Sequence, residues 1–308
     1  MNAAGRLAAY GAGLVLLFGV GLGAGRLLMP DPAATAQPHS SDSAESGEHG
    51  HDGDRSSATV PESPDAISGL SLSQHGYVLG PVTAPRQAGK PGQLSFTIED
   101  ADGAPVTDFT VSHSKKLHLI VARTDGTRFR HVHPTLDDST GTWSLPWSWD
   151  AGGSYRVFAD FVPTEADDAP DVTVSRTVDV AGELIPAPAT SINRTDVVDG
   201  YEVSLSGELK AGQSTQLQVE VTEDGKPVTT LEPYLGSFGH LVALRDGDLA
   251  YLHVHPEGDT PTPGAAGGPR ISFLVEAPTA GRYLLYLDFQ IGGTVRTATF
   301  VLDATGHS

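Results

Sequence analysis

The sequence predicts an all-β protein with two tandem β-sandwich domains, which follow an N-terminal transmembrane helix and a disordered linker. Three features lead to this prediction: an uncharged N-terminal stretch, a polar segment after it, and a duplicated remainder rich in short alternating runs. The chain contains 36 glycines and 22 prolines among 308 residues, and aromatic residues make up 7%. Such a composition suits short strands joined by turns. The predicted segments are 1–30, 31–66, 67–184 and 185–308.

The first segment contains a candidate membrane span. Residues 7–25 carry no charge and lie between Arg6 and Arg26. At about 1.5 Å per residue, a helix of this length nearly crosses a hydrocarbon core of about 30 Å. A cleaved signal peptide is the alternative, because residues 34–36 have the small-x-small form of a cleavage site. Arg26 and the proline-rich break at 30–32 favour a retained single-pass anchor in the cell membrane. Both interpretations place the bulk of the chain outside the cytoplasm.

The second segment predicts a disordered linker. Residues 31–66 consist mainly of Ser, Ala, Asp, Glu, Gly and Pro and offer few apolar side chains to bury. His39, His49 and His51 lie here, the last two beside acidic residues. Residues 48–52 could hold a divalent ion loosely through imidazole and carboxylate groups, or form a polar spacer whose histidines have no role. The sequence leaves both alternatives open.

The rest of the chain contains an internal repeat with an offset near 122 residues. Residues 93–107 resemble 216–229, and the His-Leu strand that begins at His118 resembles the one that begins at His240. Each copy continues with His-Val-His-Pro and later with a strand that ends in Asp-Phe. About seven short alternating strands in each copy, separated by Asp-Gly and proline turns, predict an immunoglobulin-like antiparallel sandwich.

Charge and composition exclude several functions. The net charge is −19 and no basic run is present, so nucleic acid is excluded as a partner. Cysteine is absent, which excludes disulfides, thiolate metal sites and cysteine nucleophiles. The chain has no HExxH motif, nucleophile elbow or phosphate-binding loop. We therefore predict that the protein is not an enzyme.

Six histidines recur at the same spacing in both copies. The pattern H-x12-H-x-H-P supplies the candidate metal ligands, which are His118, His131 and His133 in the first copy and His240, His253 and His255 in the second. A hairpin turn at Asp125-Gly126 pairs residues whose numbers sum to 251, and therefore places His118 opposite His133 with His131 on the same face. In the second copy, a turn at Asp246-Gly247 or one residue later pairs His240 with His253 or with His255.

Three imidazoles on one hairpin face predict a site for a borderline divalent ion, Cu²⁺ or Zn²⁺. With one site in each hairpin, up to two ions would bind. The sites would share no ligand because each hairpin is a separate scaffold, although docking of the domains could still couple them. Asp160 and Asp288 occupy matching positions, and His113 occurs in the first copy alone. Each could be a further ligand or could orient an imidazole. The alternative is a metal-free ectodomain for protein interaction with structural histidines.

The chain is predicted to be exported, and each copy has a His-Leu strand, a His-x-His-Pro motif and a Gly-x-Tyr strand that ends in Asp-Phe. Together these features resemble those of a known group of proteins. These are membrane-anchored or secreted actinobacterial-type proteins with YtkA-like and CopC-like domains. The resemblance covers residues 75–182 and 195–303, and it implies immunoglobulin-like sandwiches that handle copper or other heavy metals outside the cytoplasm. CopC-type proteins typically carry a histidine at or next to the mature N-terminus. Neither copy has an equivalent, so no ligand is carried over from that group.

Overall fold

The computed structural model describes residues 67–164 and 171–306, which lie within one compact unit, Pro61–Ser308. The described residues form twenty β-strands and no helix. Among them, no helix is long and apolar enough to cross a membrane. The predicted anchor at 7–25 and the predicted linker at 31–66 lie outside the described residues. The prediction of an all-β fold with a repeated domain is confirmed.

The first domain consists of two antiparallel sheets around one core. One sheet has the order β1-β2-β3-β8-β7 and the other β10-β9-β5-β6, with β4 paired to β9. Alternate residues of β3, including Leu94, Phe96 and Ile98, are buried between the sheets, as their period-two spacing predicts. The strands are β1 (Ser73–Gln74), β2 (Tyr77–Leu79), β3 (Gly92–Glu99), β4 (Phe109–Thr110), β5 (His118–Arg123), β6 (Arg130–Val132), β7 (Thr135–Asp137), β8 (Thr142–Trp147), β9 (Gly153–Pro163) and β10 (Val172–Val180).

The second domain repeats this arrangement with one difference. Its strands follow one continuous path, β11-β12-β14-β18-β17-β16-β19-β20-β13, with β15 paired to β14. Strand β17 joins the two halves because its start pairs with β16 and its last four residues pair with β18. The strands are β11 (Thr195–Val198), β12 (Tyr201–Gly207), β13 (Leu209–Lys210), β14 (Ser214–Glu223), β15 (Lys226–Pro227), β16 (His240–Arg245), β17 (Tyr251–Pro256), β18 (Arg270–Glu276), β19 (Gly281–Ile291) and β20 (Thr294–Thr305).

The hairpins that carry the histidines have the predicted register. In the first domain Leu119 pairs with Val132, so residue numbers sum to 251. This register extends to His118 opposite His133. In the second domain Ala243 pairs with Leu252, which corresponds to the later of the two predicted turn positions. The predicted domain boundary at 184/185 falls in the segment between β10 and β11.

The two domains pack against each other through β5 and β9 of the first and β16 and β19 of the second. Side chains alternate along a strand, so Leu119 and Val121 enter the core of the first domain while Ile120 and Ala122 face the second domain. The residues of this interface core are Ile120, Ala122, Phe158, Val242, Leu244, Leu249, Leu284 and Tyr286. His118 and His240 are the first residues of β5 and β16. Each lies an even number of positions before the interface residues of its strand, and therefore on the same side of the strand. The histidines therefore lie where the domains meet.

Candidate metal centre

Three histidines of the first domain converge on one point. His118 Nδ1 lies 3.0 Å from His131 Nε2 and 3.2 Å from His133 Nε2. One nitrogen from each ring lies within 4.8 Å of the other two, which is the spacing of a group that could hold a metal ion. Nitrogens bound to zinc at 2.0–2.1 Å in a tetrahedron are about 3.3–3.4 Å apart. Two of the three separations, at 3.0 and 3.2 Å, are thus close to those that an ion requires.

The outer nitrogens of two of these rings are engaged by groups that can only accept hydrogen bonds. His118 Nε2 donates to the backbone oxygen of Ser112 at 3.2 Å, and His131 Nδ1 donates to Asp288 Oδ2 at 2.9 Å. These partners place the hydrogen of each neutral ring on its outer nitrogen. The inner nitrogens of His118 and His131 consequently present lone pairs to each other. Two lone pairs at 3.0 Å need a shared proton or a cation between them.

The acceptor for His118 belongs to a tight turn. Ser112 and Lys115 exchange backbone hydrogen bonds of 2.9 and 3.0 Å around His113 and Ser114. Both central residues have positive φ, 47° and 66°, as a two-residue hairpin turn of this type requires. The turn fixes the carbonyl of Ser112 and places the ring of His113 6.0 Å from that of His118.

The second domain contributes two groups to the cluster. The ring of His240 stacks on that of His118, with centroids 5.4 Å apart and planes 4° apart, and lies 4.8 Å from that of His131. Asp288 is buried, and its second oxygen accepts the hydroxyl of Thr297 at 2.6 Å. The second domain therefore supplies a partner for one ligand of the first-domain group, while the three grouped ligands all belong to the first hairpin. The hairpins face each other across the domain interface because equivalent strands of the two repeats pack together.

The remaining predicted ligands differ in how far the structure describes them. A small cavity of about 50 Å³ adjoins the cluster, and it is lined by His255 together with His113, His118 and His240. The side chain of His253 lies outside the described part of the structure. The matching carboxylate of the first domain, Asp160, accepts the hydroxyl of Thr173 at 2.9 Å and also lines this cavity.

The sequence predicts that Asp288 could orient an imidazole, but it does not identify which histidine carries that imidazole. The matching positions of Asp160 and Asp288 in the repeat were the available signal. The carboxylate of Asp288 accepts a hydrogen bond from His131 of the other domain, and this pairing depends on the docking of the two domains.

Burial disfavours the charged form of four imidazoles at the cluster. Desolvation, reinforced by the neighbouring imidazole of His131, lowers the pKa of His118 to about 3 and that of His133 to about 3. Desolvation also lowers the pKa of His113, and it lowers that of His240 well below its ordinary value. A neutral imidazole is the form that binds metal. These four rings therefore remain in the ligand form throughout the neutral pH range.

Comparison with solved structures returns distant similarities at low TM-score. The Salmonella alpha-2-macroglobulin reacted with methylamine is 15% identical over 77% of this chain and 15% of its own, with a TM-score of 0.25. The D0-D1 domain of intimin is 12% identical over 72% of this chain and 98% of its own, with a TM-score of 0.19. This chain therefore spans well under two thirds of the macroglobulin.

No curated protein matches the chain. A protein family described as "Domain of unknown function (DUF8832)" matches residues 76–181 and 196–306. Each matched segment covers one copy of the internal repeat. Because the two segments together span more than half of the sequence, the chain belongs to the DUF8832 family.

Proposed function

We propose that this chain is a membrane-tethered, extracytoplasmic protein that binds a divalent metal ion, copper or zinc, at His118, His131 and His133. One observation carries the proposal. The inner nitrogens of His118 and His131 lie 3.0 Å apart, and outer hydrogen bonds leave both of them with lone pairs. A metal cation between these nitrogens would satisfy both lone pairs, in the place that a shared proton takes when no ion is bound.

The donor set supports copper or zinc over other ions. Imidazole nitrogens are ligands of borderline softness, while calcium and magnesium take oxygen ligands. Soft Cu(I) sites use thiolate or thioether groups, and the chain has no cysteine and only two methionines, Met1 and Met29. A net charge of −19 also raises the local concentration of cations around the protein.

The second set of histidines extends the proposal to a second ion. His240 and His255 both line the cavity beside the first site, and the part of β17 that holds His255 pairs with β18. With His253, which has the position of His131 in the repeat, they would complete an equivalent set. The protein would then hold up to two ions near the domain interface.

We further propose that each repeat is an immunoglobulin-like sandwich of the YtkA-like or CopC-like kind, and that the protein binds metal without catalysis. The support for the sandwich is the core of the first domain, which is enclosed by two antiparallel sheets. The motifs that resemble those proteins occur once in each repeat.

Metal titration of the whole chain in detergent tests the proposed function. We expect calorimetry to show binding of Zn²⁺ or Cu²⁺, and the double variant His131→Gln, His133→Gln to lose the ion of the first-domain site. The matched control His49→Gln, His51→Gln removes two linker histidines and should retain the binding. If the control loses the binding instead, the linker is the metal site. If the unaltered chain binds neither ion, the alternative of a metal-free ectodomain with structural histidines stands.

Cell fractionation tests the proposed location. We expect the mature protein to keep residues 1–30 and to sediment with membranes, because residues 7–25 are uncharged and long enough to nearly span a bilayer. N-terminal sequencing of the protein from each fraction checks this. A soluble mature protein that begins at Gln37 would show that the segment is a cleaved signal.

A further inference from the structure

We propose that Asp288 of the second domain is a positioning residue for the metal site of the first domain, so that metal affinity depends on the docking of the two domains. This inference rests on the metal binding proposed above. Asp288 Oδ2 accepts a hydrogen bond from His131 Nδ1 at 2.9 Å, and the two side chains are 4% and 0% exposed. The contact is therefore shielded from water and joins residues 157 positions apart.

The bond to Asp288 decides which nitrogen of His131 is free. A neutral imidazole carries one hydrogen, on either Nδ1 or Nε2. With the hydrogen on Nδ1, the lone pair of Nε2 points at the site. If the hydrogen moved to Nε2, that nitrogen would donate to His118 Nδ1, which lies 3.0 Å away. Two of the three ligand nitrogens would then be occupied by a hydrogen bond that metal binding has to break.

Asp288 is itself held in place by its own domain. Its Oδ1 accepts the hydroxyl of Thr297 at 2.6 Å, and Thr297 lies directly opposite on β20. On the other side, β16 places His240 opposite Asp288. Both carboxylate oxygens are thus engaged, one by the second domain and one by the first.

The arrangement links the two domains through the ion. All three ligands come from the first domain, whereas the group that sets the tautomer of His131 comes from the second. Such coupling is reciprocal: if docking raises metal affinity, a bound ion stabilises docking by the same factor. The interface core beside the cluster gives this docking a defined geometry.

The variant Asp288→Asn in the whole chain tests the proposal. An amide no longer requires a donor at His131 Nδ1, so we expect zinc affinity to fall by about 10–100-fold, as it does when comparable outer partners of metal-bound histidines are removed. The matched control is Asp196→Asn. This carboxylate also belongs to the second domain and accepts the hydroxyl of a β20 threonine, Thr299, at 3.1 Å, but it belongs neither to the cluster nor to the lining of the cavity beside it. The control should leave zinc affinity unchanged.

Nitrogen-15 NMR of the metal-free protein provides a readout that does not depend on zinc. We expect the hydrogen of His131 on Nδ1 in the unaltered chain and redistribution to Nε2 in Asp288→Asn. A His131 that carries its hydrogen on Nε2 in the unaltered chain would overturn the proposal, even if the variant failed to fold. Equal loss of affinity in both variants would also overturn it, because general charge loss would then be the cause. An unaltered chain that binds no zinc would instead refute the proposed function.

Discussion

At the scale of single residues, the chemistry of the site depends on partners that never touch the ion. The ring of His118 is oriented by a backbone carbonyl and that of His131 by a carboxylate. Both partners accept only, so they fix the tautomer as well as the direction of the ring. A carboxylate buried beside an imidazole would be costly without this hydrogen bond and the one from Thr297. The outer nitrogens of His118 and His131 therefore already have their hydrogen-bond acceptors before any ion binds.

The low pKa values of the buried histidines make stability depend on pH. His118 and His133 have pKa values of about 3 when folded, against an ordinary value of 6.5. Between these values the unfolded chain binds more protons, so the free energy of unfolding should fall as pH decreases from 6.5 towards 3. Each such histidine contributes a slope of up to about 1.4 kcal/mol per pH unit. The variant His133→Gln should reduce the slope by one such contribution.

Chemical denaturation in metal-free buffer at pH 7.5, 6.5, 5.5 and 4.5 measures this slope. The carboxylates of the unfolded chain begin to titrate near pH 4.5, and they do so equally in the variant and the unaltered chain, so the difference between the two slopes removes their contribution, to about the precision of the ordinary pKa values. The effect of histidine is therefore separated from that of Asp137 and Asp248, whose pKa values are lowered by hydrogen bonds. Identical slopes for the variant and the unaltered chain would contradict the prediction.

At the scale of elements, the hairpin between β5 and β6 serves both the site and the domain interface. Its turn residue Gly126 has a φ of +77°, and a Cβ added there would lie 2.1 Å from Leu284 of the second domain. The carbonyl of Gly126 accepts the hydroxyl of Tyr286 at 2.5 Å. The ring of Tyr286 in turn stacks on Phe129 with centroids 3.9 Å apart. The hairpin that carries His131 is thus held against β19, the strand that carries Asp288.

Gly126→Ala should destabilise the protein more than an equivalent change elsewhere. Gly103→Ala is the matched control, because Gly103 also follows an aspartate in a turn, has a φ of +80° and has nothing within 4 Å of an added Cβ. Both variants place an alanine in the left-handed region at a cost of about 1–2 kcal/mol. Crowding against Leu284 should add about 1–3 kcal/mol for Gly126. Urea denaturation of both variants measures the difference, and equal losses would argue against tight packing at this turn.

At the scale of the whole molecule, the two repeats share an interface core of eight residues in addition to their own cores. Equivalent strands of the two copies face each other, because β5 and β9 of the first repeat pack against β16 and β19 of the second. The segment between the domains is also attached to the first of them. Arg123 donates to the carbonyl of Ile185 at 3.0 Å, and the amide of Ala187 donates to Asp125 at 3.0 Å. These contacts favour a single cooperative unit.

We expect the domains to unfold in one transition that a change at the interface separates into two. Phe158→Ala removes a fully buried ring from the interface core, at a cost of about 3–5 kcal/mol. The matched control Phe96→Ala removes a buried ring from the core of the first domain alone and should lower stability without uncoupling the domains. Fluorescence and circular dichroism followed through urea denaturation distinguish these outcomes. Two transitions in the unaltered chain would show that docking contributes little.

A bound ion should stabilise the whole molecule. An ion that binds only the native state raises the free energy of unfolding by about 2.7 kcal/mol at a hundredfold excess over Kd. Because His131 and Asp288 join the domains, zinc should raise the midpoint of their shared thermal transition, and His131→Gln should lose the part of this gain that comes from the first-domain site. A gain confined to one domain would mean that the ion and the docking are not coupled.

Features that depend on neighbours along the chain could be predicted without the structure. The offset of the repeat, the alternation along β3 and the register that sums to 251 all follow from local spacing and turn chemistry. That register was sufficient to bring His118, His131 and His133 to one face. In the second hairpin two turn positions were compatible with the local sequence, and the structure has the later one.

The groups that surround that face depend on how the two domains pack against each other. His131 meets Asp288, and His118 stacks on His240, because β5 and β9 dock against β16 and β19. Docking depends on the fit between two surfaces whose residues are more than a hundred positions apart. A pattern read along one chain shows which side chains leave a strand on the same side, but it contains no record of which other surface covers them. The carboxylate that orients a ligand of the first domain could therefore be identified only once both domains were folded and in contact.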